Sequence, residues 1–252
     1  MNPLFVPQES YNYMNISIKS DSIESAYKTA LKTILYNGID FNDERGDKMK
    51  TIYNMMVTIK NPLSNLERLD EMNKNGLIPY NRKFLDDYAD QLINGPKKSE
   101  IPFEYTYWER LRKRWSRLSK RAFQSLENEE VMDSEYVDQI GEVIKILKKN
   151  PNTRRAVCAT WIPSMDLKKS EVPCMNWLVF YNISDRLNGT MGFRSHDIFG
   201  AVVENWYGLS RLLEYVAERV DKKMGSLTTV SVNAHYNKMF EKDVIRIVDG
   251  KV

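Results

Sequence analysis

The run from Val172 to Asn205 concentrates the residue types that could do chemistry. Cys174 follows Pro173 directly, Arg194, Ser195, His196 and Asp197 form a compact group, and Asn205 stands at the head of a helical apolar pattern. A thiol, a fixed cation, a carboxylate and an amide on neighbouring elements make an inventory for reaction with a small anionic molecule. The reactive form of cysteine is the thiolate, which a nearby cation favours, so the spacing nominates Arg194 as the group that would activate Cys174. Taken singly, each residue also has an ordinary structural role. A lone cysteine more often packs than reacts, Asp197 and Asn205 suit turns and helix caps, Arg194 suits a surface, and His235 suits a strand end. Only their combination favours a site.

The elements that must position these residues are readable from periodicity. Trp177 to Ile183 and Thr190 to Arg194 read as strands around a turn from Ser184 to Gly189. That pairing would bring Cys174 beside Arg194. Val202 to Val220 is an amphipathic helix with Val202, Trp206, Leu209, Leu213, Val216 and Val220 as its buried stripe, and Leu227 to His235 alternates as a strand. Upstream, Tyr13 to Ile18 suggests a strand, and Asp21 to Glu24 resembles a capping box opening a helix that Gly38 stops. Asp40 to Lys50 reads as a polar loop carrying Arg45-Gly46, Thr51 to Ile59 as a strand, and Asn81 to Ile93 as a helix. Ser134 to Lys149 is a further helix. Arg154 and Arg155 lead straight into a buried strand, Ala156 to Trp161, in which Cys158 behaves as a small hydrophobe.

Composition narrows the classes. A chain of 252 residues suits one well-buried domain, and no apolar run approaches the roughly 18 residues of a membrane helix. The amino terminus lacks a secretory pattern, so cytoplasm is the expected location. Two cysteines and two histidines offer neither a disulfide framework nor metal-ligand spacing. A formal charge of +3 is too small to imply polyanion binding without local clustering. Clustering does occur at Tyr105 to Arg121, where Tyr107, Trp108 and Trp115 sit among basic residues. Aromatics in a basic stretch can stack bases and meet phosphates, which makes an RNA-binding module a separate hypothesis. The alternative is a helix packing Trp108, Leu111, Trp115 and Leu118 inward, and this is the favoured reading.

Together the landmarks resemble the thymidylate synthase family, most of all its compact archaeal-type members. Asp138-Gln139, the run Asn150 to Val157, Trp161-Ile162-Pro163 with Asp166, Pro173-Cys174, Arg194 to Asp197, Asn205 and Ala234-His235 stand in the family's order. Glu44-Arg45-Gly46 resembles its phosphate loop and Tyr107 its active-site tyrosine. The resemblance implies an α+β fold, a mixed sheet with flanking helices, and a homodimer packed through the sheets. It also implies reductive methylation of dUMP to dTMP, with 5,10-methylenetetrahydrofolate or a related methylene-tetrahydropterin as cofactor. Cys174 would be the nucleophile, with Tyr107 beside it. Arg45, Arg194 and Ser195 would hold the nucleotide phosphate from the same chain, and Arg154 and Arg155 would reach it from the partner. Asn205 would pair with uracil, His235 with the deoxyribose, and Asp197 with the pterin. A hydroxymethylase acting on dUMP or dCMP is the alternative within the fold, and an RNA-binding module lies outside it. The departures are Phe193 where many members have glutamine, Met175 after the cysteine, and Tyr236 directly after His235. The family's catalytic glutamate has no decisive match: Glu67, Glu71, Asp86 and Asp87 all lie in the right region.

Overall fold

The computed structural model describes residues 14–96, 105–115 and 136–250. Its centre is a mixed sheet of eight strands. They are β1 (Ser17–Ser20), β2 (Ile39–Asn42), β3 (Lys48–Ile59), β6 (Val157–Ala159), β7 (Met175–Ile183), β8 (Arg186–Phe193), β9 (His196–Asp197) and β10 (Lys223–Asn237); the two-residue strands β4 (Arg114–Trp115) and β5 (Tyr136–Val137) pair apart from it. The main order is β1-β3-β10-β8-β7-β6, with β2 on β3 and β9 on β10. β10 runs antiparallel to β3 and parallel to β8, while β7 is antiparallel to both β8 and β6. The α+β architecture with flanking helices therefore stands as expected.

The sheet's two faces differ. Along β10, Leu227, Thr229 and Ser231 are buried under the helix Val202–Arg219, whose Trp206 donates from Nε1 to Thr229 at 3.1 Å. Residues of opposite parity face away. Val230 pairs with Met56 and Gly192, and Gly192 with Trp177, so these share the second face. There Met56, Val157, Trp177 and Val232 are 36–50% exposed. Trp177 lies across Gly192 so closely that a Cβ would come within 2.1 Å of the indole.

Several boundaries differ from the sequence reading. The helix Ile23–Asn37 is capped by Ser22 and stopped at Gly38 as expected, but Ser25, not Glu24, closes the capping box. The polar stretch Asp40 to Lys50 is mostly a hairpin of β2 and β3, with its turn fixed by Asp43 N to Asp47 O at 3.0 Å. The β7–β8 turn is only Ser184-Asp185, because Arg186 to Gly189 continue the ladder. The first strand is Ser17–Ser20, with Tyr13 outside the described residues. The helix read from Ser134 begins at Gln139, since Tyr136-Val137 pairs as β5 and residues 134–135 are not described. The basic stretch forms the helix Tyr107–Arg112 and then turns extended at Arg114, and residues 116–121 lie outside the described residues. A helical face continuing to Trp115 is thereby corrected, while Leu118 lies outside the described residues.

Candidate active site

Strand register gathers the candidates. Cys174 immediately precedes β7 and Arg194 immediately follows β8, and these antiparallel neighbours pair Met175 with Phe193. β9 pairs with β10 so that Asp197 meets His235, and β10 pairs with β3 so that His235 meets Thr51, near the β2–β3 turn that carries Arg45. Cys174, Arg194, Ser195, Asp197 and His235 therefore occupy one end of the sheet. Asn205 joins them from the first turn of the helix Val202–Arg219 and Tyr107 from the helix Tyr107–Arg112.

The cysteine loop is held from several sides. Arg194 N donates to Cys174 O at 2.9 Å, Arg194 Nε to Pro173 O at 3.1 Å, and Arg194 Nη2 to Val172 O at 3.1 Å. Tyr105 Oη also donates to Val172 O, and Tyr107 Oη accepts Met175 N at 3.0 Å. A guanidinium carries five N–H donors, so Arg194 keeps three while its stem is fixed. Tyr107 is itself anchored through its short helix. On that helix Arg110 makes a buried bidentate pair with Asp166 at 2.8 and 3.1 Å, and Gln139 Nε2 bridges Arg110 O at 2.7 Å and Ala159 O at 2.9 Å. Thus Asp166 and Gln139, conspicuous in the sequence, do scaffolding work.

Burial pushes the Cys174 thiol above its ordinary range, and although Arg194 pulls it down, Asp197 adds to the burial effect and the net direction is up. Arg194 thus favours the thiolate as expected, but in the single chain burial outweighs it and the half-buried sulfur rests as a thiol at neutral pH. Burial likewise raises the Tyr107 and Tyr88 hydroxyls, which both feel Cys174, so they stay protonated donors.

Asp197 Oδ1 accepts Phe199 N at 3.0 Å and Gly200 N at 2.9 Å, which leaves Oδ2 without a partner among the described residues. Asn205 is buried, and its Nδ2 donates to Tyr88 Oη at 3.4 Å. Tyr88 lies against Gly208, where a Cβ would sit 2.6 Å from its ring. His235 is half-buried; its Nδ1 contacts Asn233 Oδ1 at 3.1 Å, and burial lowers its pKa while Asp197 and Asp43 oppose that. The neighbouring Tyr236 turns into the core and bonds to Glu241, away from this cluster. His196, singled out in the sequence, is also core. It stacks on Phe193 at 3.8 Å, meets Ser231 Oγ at 2.8 Å, and burial holds it neutral with a pKa near 3.

Three candidates are not drawn into this cluster. Arg45 is exposed on the β2–β3 turn, where its own N–H binds Asp43 Oδ1 at 2.9 Å. Arg154 and Arg155 are exposed just before β6, and Ala156 O accepts Phe180 N at 2.9 Å. Phe180 is six positions along β7 from Cys174, roughly 20 Å at strand rise. These two arginines lie toward the opposite end of β7 from their own chain's thiol. Of the four carboxylates considered for acid–base work, Glu67, Glu71, Asp86 and Asp87 are all exposed, and Asp86 accepts the Tyr207 hydroxyl.

Sequence reasoning missed Glu204 and Tyr88. Glu204 precedes Asn205, is half-buried, and makes no hydrogen bond or ion pair among the described residues. Burial, reinforced by the charge of Asp197, pushes its pKa up to about 7. An acidic residue in a first helical turn is ordinarily read as favourable to the helix dipole, which hides it; Tyr88 reads as core stripe.

A sequence model of the thymidylate synthase family matches residues 25–246. A protein of Methanosarcina mazei named "Putative thymidylate synthase" is 40% identical over 218 residues, covering 86% of this chain and 88% of that one. One of Methanococcoides burtonii with the same name is 39% identical over 234 residues (92% and 94%), and one of Methanothermobacter thermautotrophicus 32% identical over 244 residues (93% and 99%).

Proposed function

The chain belongs to the thymidylate synthase family and is an enzyme of the methyltransferase class, and we propose that it methylates dUMP reductively to dTMP. The whole chain would act as one domain, in the cytoplasm. What supports this reading most is the convergence at one sheet end of a thiol, an anchored guanidinium, a carboxylate with a spare oxygen and a buried amide. The cofactor is proposed to be 5,10-methylenetetrahydrofolate or a related methylene-tetrahydropterin. Asp197 fits it, since Oδ2 can accept from a pterin ring N–H. When bound, it would supply the one-carbon unit and the hydride.

The residues of this chain would do the rest. Cys174 adds to ring carbon 6 of the pyrimidine, and the C5=C6 pair moves toward carbon 5, making that carbon nucleophilic. Asn205 offers a donor and an acceptor to the uracil edge. Tyr107 holds the peptide that carries the thiol. His235 meets the deoxyribose hydroxyl, and Arg194, Ser195 and Arg45 meet the phosphate, where forked guanidinium groups engage oxygens in pairs.

Arg154 and Arg155 are proposed to complete the phosphate site of a second copy. The exposed apolar face of Met56, Val157, Trp177 and Val232 offers the surface through which two sheets would pack. That arrangement would use the side of β7 on which the two arginines stand, and it brings cations to a thiol that burial leaves protonated. RNA is not proposed as a ligand. Incubation with dUMP and several methylene-tetrahydropterins, followed by identification of both products, tests the reading. We expect dTMP with oxidised pterin, whereas hydroxymethyl-dUMP with tetrahydropterin overturns it in favour of a hydroxymethylase.

A further inference from the structure

A thiol that adds to carbon 6 of a pyrimidine makes a demand that the thiol cannot meet. Carbon 5 gains an electron pair, and the hydrogen there must later leave as a proton. A group near the ring has to deliver and remove protons at carbon 5. The carboxylates that the sequence offers for this, Glu67, Glu71, Asp86 and Asp87, stand exposed on two outer helices.

Glu204 has the placement they lack. It sits in the first turn of the helix that presents Asn205, beside Asp197 from β9, Tyr80 from the preceding loop and Tyr88 from the helix Arg82–Asn94. Tyr88 connects the groups: its hydroxyl accepts Asn205 Nδ2, and it feels the charges of both Glu204 and Cys174. Tyr80 is held on Gly200 O by its hydroxyl and stacks on Phe84 at 5.0 Å, fixing the near wall. The charged groups facing Glu204 include no cation to hold it ionised, and its carboxyl makes no hydrogen bond or ion pair among the described residues. A half-buried carboxyl left unpartnered beside a site amide is expensive unless something that comes and goes uses it.

We propose that Glu204 is the acid–base residue of this site, moving the proton at carbon 5 of the bound pyrimidine nucleotide. This rests on the pyrimidine-adduct reading above. The step closes without a second substrate. As the Cys174 sulfur, in its thiolate form, bonds to carbon 6, the C5=C6 pair moves to carbon 5 and takes a proton from the Glu204 carboxyl, leaving a carboxylate. In the reverse direction the carboxylate removes either hydrogen from carbon 5, the double bond re-forms, and the sulfur leaves with its bonding pair. Burial and Asp197 place the Glu204 ionisation near 7, where both forms are populated at neutral pH.

In D2O this cycle exchanges the carbon-5 hydrogen of dUMP for deuterium with no pterin present, which proton NMR and mass spectrometry read directly. Wild-type protein should catalyse the exchange, with an ionisation near pH 7 in its rate. Glu204→Gln should bind dUMP within about threefold of wild type by equilibrium dialysis, exchange at least about 100-fold more slowly, and lose that ionisation. Glu204→Asp should recover at least about tenfold over the glutamine variant, which a merely structural role would not produce. Exchange by Glu204→Gln within fivefold of wild type overturns the proposal, as does a wild type that converts dUMP to product yet exchanges with the same pH profile as the variant. If Glu204→Gln does not fold, failure of Glu204→Asp to carry a shifted ionisation overturns it. A wild-type protein that neither binds nor converts dUMP sinks the functional reading and this one together, whereas intact turnover in Glu204→Gln sinks this one alone.

Discussion

Around Cys174 the chain supplies its own partners: the carbonyls of Val172, Pro173 and Cys174 are all bonded by Arg194 and neighbouring side chains. Arg45, Arg154 and Arg155, by contrast, stand exposed with no ion pair among the described residues. The difference follows from what each half would meet. A thiol must be aimed to within fractions of an ångström of a ring carbon, so its loop is fixed before substrate arrives. A phosphate offers several equivalent oxygens, and long flexible cations can close on it afterwards. On the fixed side, burial raises the Cys174 pKa against the single guanidinium, Arg194, that opposes it.

The sharpest way to break this division is to remove the fixed nucleophile. Cys174→Ala should lower turnover by at least about a thousandfold, as loss of an attacking group does in other enzymes. It should leave dUMP affinity within a few-fold, since no phosphate contact is touched. Mass spectrometry should find no covalent adduct, and an adduct persisting on the variant would remove Cys174 from its role.

The open sheet face is the next most sensitive place. Val232→Asp puts a carboxylate at the centre of the proposed interface, twice over in a symmetric dimer. An unpaired buried charge costs about 3 kcal/mol or more, beyond a hundredfold in association. Sedimentation should find monomers at concentrations where wild type is dimeric, with activity falling in step. Activity unchanged in a proven monomer would show that each site is complete within one chain.

Arg155→Ala tests the exposed half by itself. Loss of a charge-assisted contact costs about 1.5 to 3 kcal/mol, so dUMP should bind roughly ten- to a hundredfold more weakly. Mixing this variant with Cys174→Ala should restore part of the activity, because one site in a mixed dimer has both the thiol and a partner arginine. No recovery in a mixture shown to exchange subunits would return Arg155 to its own chain's site.

The fixed half was also the more legible half. Cys174 and Arg194 are neighbours because two alternating apolar runs must pair across a short turn, and the buried stripe of the helix Val202–Arg219 is plain from its spacing. Asp40 to Lys50 hid a hairpin because an edge ladder needs no apolar alternation on its solvent side. The helix at Tyr107 broke early because Lys113 leaves helical geometry and Arg114-Trp115 pairs with β5, a tertiary contact that no local pattern announces. Glu204 was illegible for a different reason: its identity suits a first helical turn, and only the fold brings Asp197, Tyr80 and Tyr88 to it.

The same burial that fixes the Cys174 side of the site should register, more weakly, in stability. The Glu204 pKa is raised in the folded chain to about 7 from an ordinary 4.5. Below pH 4.5 both states hold the proton and the full contribution is present; as pH rises toward 7 the unfolded chain releases it first, so stability falls across that window. Discounted for the partial exposure of Glu204, the loss is on the order of 1 kcal/mol, about 2 to 4 °C in Tm for a chain of this size. Glu204→Gln cannot ionise, so its Tm relative to wild type should rise by that amount between pH 4.5 and pH 7.5 in parallel calorimetric scans. A constant difference across the window would mean that the carboxyl is as well solvated as the exposed arginines, and the contrast between a fixed, desolvated base side and an open anion side would lose its electrostatic half.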